Sequence, residues 1–239
     1  MGRLAAVLIL FAALVAWYEI VPRLDPVSEW GSVALISLVV MPAMFGLTWL
    51  ALPLREHLRP LLAGAAALLV LALILGNLDA PVFANFAKFG AVTLAGWVFL
   101  WLFEALSWVV LVAFVIPFVD AFSVFHGPTK DITSNHPHVF TTLSIAFVVP
   151  GGNAARLGLP DCLFFAVFLG AAARWGLRPG LTWLLMIGGL AITIVLTTYL
   201  VTGGLPALPA IALGFLLANC DLLWARLARP RLRPVDQSD

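Results

Sequence analysis

Eight apolar runs dominate this chain, at about Leu4–Val21, Gly31–Leu52, Pro60–Gly76, Phe83–Phe103, Leu106–Phe125, Gly158–Ala173, Leu181–Val201 and Pro206–Leu227. Most reach the roughly 17–25 residues that a helix needs to cross a bilayer. Pro60–Gly76 is at the short end and Gly158–Ala173 falls just below it. The runs are continuous, whereas the strands of a membrane barrel alternate over about ten residues. With 63% of its 239 residues hydrophobic and 10% charged, the chain carries more apolar surface than a soluble domain of this length can bury, and lipid solvates it directly. The expected fold class is all-α: a polytopic transmembrane helical bundle of eight to nine spans, forming a single membrane domain over residues 1–239.

Strong punctuation separates the runs. Pro22–Pro26, Arg55–Arg59, Asp79–Pro81 and Arg174–Pro179 halt helices, and His126–His138 is the longest polar loop. Val139–Pro150 is an extra apolar piece, expected to be re-entrant, interfacial or an N-terminal extension of the sixth span, and Gly151-Gly-Asn153 is expected to be a flexible joint. Arg3 followed by Leu4–Trp17 resembles a signal peptide, but no small-x-small cleavage site precedes Tyr18-Glu19, so an uncleaved first span is expected.

The positive-inside rule orients this scheme. With the N-terminus inside, Arg3, Arg55, Arg59, Arg174, Arg178, Arg226, Arg229, Arg231 and Arg233 collect on the cytoplasmic side, against Arg23, Lys88, Lys130 and Arg156 outside. Both termini are therefore expected in the cytoplasm. The residues divide into N-terminal helices (1–105), a second half with the candidate chemistry (106–227) and a cytoplasmic tail (228–239). The net charge of +1, with no basic patch interleaved with aromatics, gives no reason to expect a nucleic-acid partner. Cys162 and Cys220 lie in apolar runs and read as small core hydrophobes. Most tryptophans flank spans and read as interfacial anchors. Ala63-Gly-Ala-Ala-Ala67 reads as a close-packing surface.

The candidate chemistry lies in two acids set in apolar surroundings. A carboxylate in hydrocarbon is costly, so an intramembrane acid is a functional-site hypothesis by default. Asp120 stands in Ile116-Pro-Phe-Val-Asp-Ala-Phe-Ser-Val-Phe125, near the outer end of the fifth run, with Val119 beside it. Asp161 follows Gly158-Leu159-Pro160 at the start of the sixth. Adjacent antiparallel helices would bring the two carboxyls to similar depth, where like charges prevent both from ionising readily. Such a pair suits peptide hydrolysis: one member takes a proton from water and the other polarises the scissile carbonyl. A third element opens the last run: Gly203-Gly-Leu-Pro206-Ala207-Leu208-Pro209-Ala210. Its prolines withhold two amides, and irregular backbone at membrane depth survives only when buried in protein or lining a watery cavity. Its free backbone groups suit an extended substrate.

In these three elements the sequence resembles the presenilin and signal peptide peptidase family of intramembrane aspartyl proteases. That family carries Tyr-Asp in one helix, Gly-x-Gly-Asp in the next and Pro-Ala-Leu at the start of its last. The chain has Val119-Asp120, Gly158-Leu-Pro-Asp161 and Pro206-Ala-Leu208 in that order, and the likeness runs from about Ile116 to the end of the last run. The resemblance implies a presenilin-like fold and Asp120 and Asp161 as catalytic dyad. It also implies that Pro206, Ala207 and Leu208, with Val119, Gly158, Leu159 and Pro160, shape the site, and that no metal or other cofactor is used. Substrates would be membrane proteins running in the type II sense, or signal-peptide remnants, in the lipid bilayer. Val119 stands where the family has tyrosine and Pro160 where it has its second glycine. Arginine-rich, small-residue composition points to a prokaryotic plasma membrane.

Other readings fit fewer of these features. A prepilin-peptidase-like enzyme leaves the proline motif unused, and a proton-coupled transporter calls for inverted repeats. A weak or inactive homologue that binds membrane helices draws on Val119 and Pro160. Asp221 and Glu104 lack accompanying motifs and read as structural. His126, His136 and His138 lack a further ligand at zinc spacing. Ser123 and Ser144 lack a positioning Gly-x-Ser.

Overall fold

The computed structural model describes residues 2–127, 137–200 and 205–227. Lys130, His136, Gly203, Gly204, Arg229, Arg231 and Arg233 lie outside them. The described helices are α1 (Gly2–Ile20), α2 (Glu29–Leu35), α3 (Met41–Ala51), α4 (Leu58–Asn77), α5 (Pro81–Leu100), α6 (Leu106–His126), α7 (Pro137–Thr142), α8 (Leu159–Arg174), α9 (Pro179–Tyr199) and α10 (Leu208–Leu227). A π-helical turn, Ile36–Val40, joins α2 to α3 in one continuous rod, Glu29–Glu56. Among the described residues seven helices are long and apolar enough to cross a membrane. They match seven of the eight runs, and α8, with 16 residues, matches the other.

Local chemistry places the helix ends. Ser28 caps α2, its Oγ accepting from the Gly31 amide at 3.1 Å. Pro81 and Pro179 open α5 and α9, where a missing amide costs nothing because first-turn amides have no intrahelical acceptor. The short helix α8 is the axis of the bundle, packed against α5, α9 and α10. Cys162 and Phe165 through Ala172 are buried. The Phe165 ring lies 4.0 Å from that of Phe45. Trp97 is fully buried and donates to the Ala166 carbonyl at 3.1 Å, a core role for one tryptophan that interfacial reading does not anticipate. Cys162 is a core residue as expected, but Cys220 is exposed on α10.

Small residues bring backbones together. A Cβ on Gly214 of α10 would stand 2.7 Å from the Met186 nitrogen of α9. The Ala63–Ala67 stretch serves α4 against α5, where a Cβ on Gly64 would meet Leu94 at 2.9 Å. At the arginine-rich end, the buried Asn219 accepts from the Arg178 amide at 2.9 Å and donates to Thr182 Oγ1 at 2.8 Å. Asp221 takes a bidentate contact from Arg178, both bonds 2.7 Å, as its structural reading anticipates. Glu104 is exposed between α5 and α6.

One hairpin interrupts the helices. Val139–Pro150 divides between α7 and a strand, β1 (Ser144–Val148), which pairs antiparallel with β2 (Ala154–Gly158). Gly151 and Gly152 form the turn at φ 83° and 77°, conformations that glycine adopts without penalty. The Gly151 amide donates to the Leu24 carbonyl at 3.0 Å, and a Cβ there would meet Pro26 at 2.8 Å. The expected flexible joint is a seated hairpin tip.

Candidate active site

The two acids arrive on helices that barely touch. α6 packs chiefly on α10 and only lightly on α8, while α10 packs on both. The expected direct pairing of neighbouring helices is therefore replaced by an arrangement mediated by α10. Its first turn holds Asp120: the Leu208 amide donates to Asp120 Oδ2 at 3.0 Å, with the Ala207 amide alongside. These are amides that a helix start leaves unpaired, and its dipole favours an anionic partner there. Pro206-Ala207-Leu208 thus contacts the first acid directly. Ala207 and Leu208 are buried, and Pro206 is partly so.

Asp161 lies in the first turn of α8 and reaches back three residues, its Oδ2 accepting from the Gly158 amide at 3.1 Å. A Cβ on Gly158 would come within 3.1 Å of that same oxygen, which gives the glycine a steric reason. Pro160 is exposed at the second helical position, where its ring fits. Leu159 continues the hairpin ladder, its amide donating to the Leu143 carbonyl at 3.0 Å. Val119 is half exposed on α6. Asp120 and Asp161 are each partly exposed and close enough to interact electrostatically. Ser144 is buried, with its hydroxyl donating to the Thr141 carbonyl at 3.3 Å.

The hairpin leads straight into this site, because β2 ends at Gly158 and α8 begins at the next residue. Its two edges differ. Asn85 of α5 imitates a neighbouring strand: its Nδ2 donates to the Ala146 carbonyl at 3.0 Å and its Oδ1 accepts from the Ala146 amide at 2.9 Å. Tyr18 adds a bond to the same carbonyl at 2.7 Å, and Trp17 bonds Val148 O at 3.0 Å. Lys88 Nζ bonds the Ser144 carbonyl at 2.9 Å, with longer contacts to Thr141 and Thr142. Every outward carbonyl of β1 is thereby taken. The same phase turns the backbone groups of Ala154 and Arg156 outward from β2. Among the described residues these groups have no hydrogen-bond partner.

Trp17, Tyr18, Asn85 and Lys88 are the contributors that sequence reading misses. Lys88, in sequence an outer flanking charge, is a half-buried residue inside α5. Asn85→Ala is expected to leave the Ala146 amide without a partner and its carbonyl with Tyr18 alone, at a cost of about 1–3 kcal/mol. Hydrogen exchange checks this: the amides of β1 and β2 should lose protection while those of α9 and α10 keep theirs.

The sequence matches no protein-family model and no curated protein.

Proposed function

We propose that the chain is an intramembrane aspartyl endoprotease in which Asp120 and Asp161 hydrolyse peptide bonds within transmembrane segments or signal-peptide remnants. The single observation that carries this reading is the bond from the Leu208 amide to Asp120. It joins two of the three sequence elements of the presenilin and signal peptide peptidase resemblance, and the third, Gly158–Asp161, lies within electrostatic reach. A helix cap alone accounts for each acid singly; the protease reading also accounts for their occurrence together with the Pro206-Ala207-Leu208 element.

Hydrolysis needs one member of the pair ionised and the other protonated. The ionised carboxylate takes a proton from water as its oxygen adds to the scissile carbonyl, and the acid donates to the carbonyl oxygen. Collapse of the tetrahedral intermediate breaks the C–N bond and delivers a proton to the leaving amine. Amide bonds within a helix are shielded by their own turn, so the substrate must first be extended. The open edge of β2 supplies the template: a substrate strand pairs with Arg156 and Ala154 and is led past Gly158 to the acids.

Arg55, Arg174, Arg178 and Arg226 supply the orientation. Trp101 bonds the Arg55 carbonyl, Arg174 lies over the Trp101 ring, and Arg226 bonds Trp175 O, so they gather at one end of the bundle. We assign that end to the cytoplasm, giving eight spans with α8 among them and a prokaryotic plasma membrane as the setting. The hairpin then lies at the outer end and type II segments run past it.

The test is reconstitution into liposomes with a single-span peptide. Cleavage products seen by mass spectrometry, blocked by a hydroxyethylene transition-state isostere, are the expected result. An absence of both cleavage and isostere binding overturns the proposal, and isostere binding without cleavage indicates an assembled pair lacking turnover on that peptide.

A further inference from the structure

We infer that Arg156, backed by Lys88, is a receptor for a carboxylate on the substrate, beside the scissile region. This rests on the protease reading for its purpose but not for its test. Both cations converge on Ser144, which stands directly opposite Gly158 in the hairpin. Lys88 Nζ bonds the Ser144 carbonyl at 2.9 Å, and Arg156 Nη1 approaches Ser144 Oγ at 3.4 Å. Among the described residues neither makes an ion pair, and neither Asp120 nor Asp161 neutralises them. Among the described residues the two positive charges therefore have no acidic partner, at the hairpin end that leads into the site.

Lys88 is occupied by backbone carbonyls, so its part is the local field. Arg156 is exposed and keeps most of its donors available. A guanidinium with open donors pairs planar, bidentate groups, and carboxylate is the peptide group of that shape. Its backbone faces the open edge of β2, so any peptide strand docked there passes beside its side chain. Lipid phosphate offers the same chemistry, but the position on the docking edge favours the peptide. Two residue steps along β2 take Arg156 to Gly158, about 7 Å. A carboxylate about two or three residues beyond the point where the substrate passes Gly158 meets the guanidinium.

The charge also chooses a direction. A strand whose outer end is its C-terminus presents an α-carboxylate to Arg156; one whose outer end is its N-terminus presents an ammonium and is repelled. Among the substrates already proposed, this contact favours those with a carboxylate close to the bond to be broken, whether a free C-terminal acid or an Asp or Glu side chain.

Two fluorescent apolar peptides of about 20 residues, identical except for a C-terminal acid or amide, separate the possibilities. Binding is measured to the full chain carrying Asp161→Asn in phosphatidylcholine nanodiscs, so the readout does not require hydrolysis. The acid should bind about tenfold tighter than the amide, Arg156→Gln should erase the difference, and Arg156→Lys should retain part of it. Unchanged melting temperature keeps the Gln variant interpretable. Equal binding of acid and amide overturns the receptor. Equal binding together with an Arg156-dependent affinity for phosphatidylglycerol gives the site to lipid phosphate and equally overturns it. Failure of the protease reading shows elsewhere, as active Asp variants or absent isostere binding.

Discussion

Asp120→Asn and Asp161→Asn are each expected to reduce cleavage of a reconstituted transmembrane peptide by about 10³-fold or more, with the fold intact. The amide is the informative replacement because it preserves shape and an acceptor oxygen. The Leu208 amide can still bond the side chain at 120, and the Gly158 amide the side chain at 161. What is lost is the ability to exchange a proton with water or with the carbonyl of the substrate. Since the pair works as a unit, the double variant should be little worse than either single one. The wild-type pH profile should be bell-shaped, with limbs belonging to the pair jointly, and both single variants should lose that shape. Melting temperatures near the wild type separate lost chemistry from lost structure. Full turnover by either variant removes the dyad assignment.

Much of the helix arrangement is legible in the sequence because lipid makes apolar length a nearly sufficient signal. All eight runs correspond to helices, although Pro81 and Pro179, read as the ends of helix-halting loops, open the helices that follow. The hairpin is not legible for a physical reason: Ser144–Val148 is a short apolar stretch, and periodicity cannot separate a buried strand from a helix fragment over five residues. Only the Gly151-Gly152 pair hinted at a turn. The acids and the proline motif are visible as local patterns, and the resemblance implies a shared site, but the particular bond between them is not legible. Asp120 meets Leu208 across 88 residues of chain, through the packing of α6 on α10. The closing of one hairpin edge is still less visible, because Asn85 and Ala146 are 61 residues apart and neither carries a motif. Lys88 reads as a flanking charge until its three carbonyl partners are seen together.

Leu208→Pro is expected to lower the turnover rate by about 10²-fold, the size of losing one preorganised donor in a low-dielectric site. Leu208 is the first residue of α10, so its amide has no intrahelical acceptor and its one bond is to Asp120 Oδ2. Proline at that position suits a helix start, and the substitution therefore removes the donor while leaving α10 able to form. It also removes a buried side chain, 3% exposed. Leu208→Ala supplies the comparison, keeping the amide and losing the packing at a cost of about 2–4 kcal/mol. If the motif serves the carboxyl, the Pro variant has the lower kcat and the Ala variant the lower melting temperature. If it serves only to hold substrate, both variants raise KM and leave kcat alike, because a contact made equally in ground and transition states does not change the chemical step. Single-turnover cleavage at saturating peptide measures the difference directly, and equal rates for the two variants would sever Pro206-Ala207-Leu208 from the chemistry at Asp120.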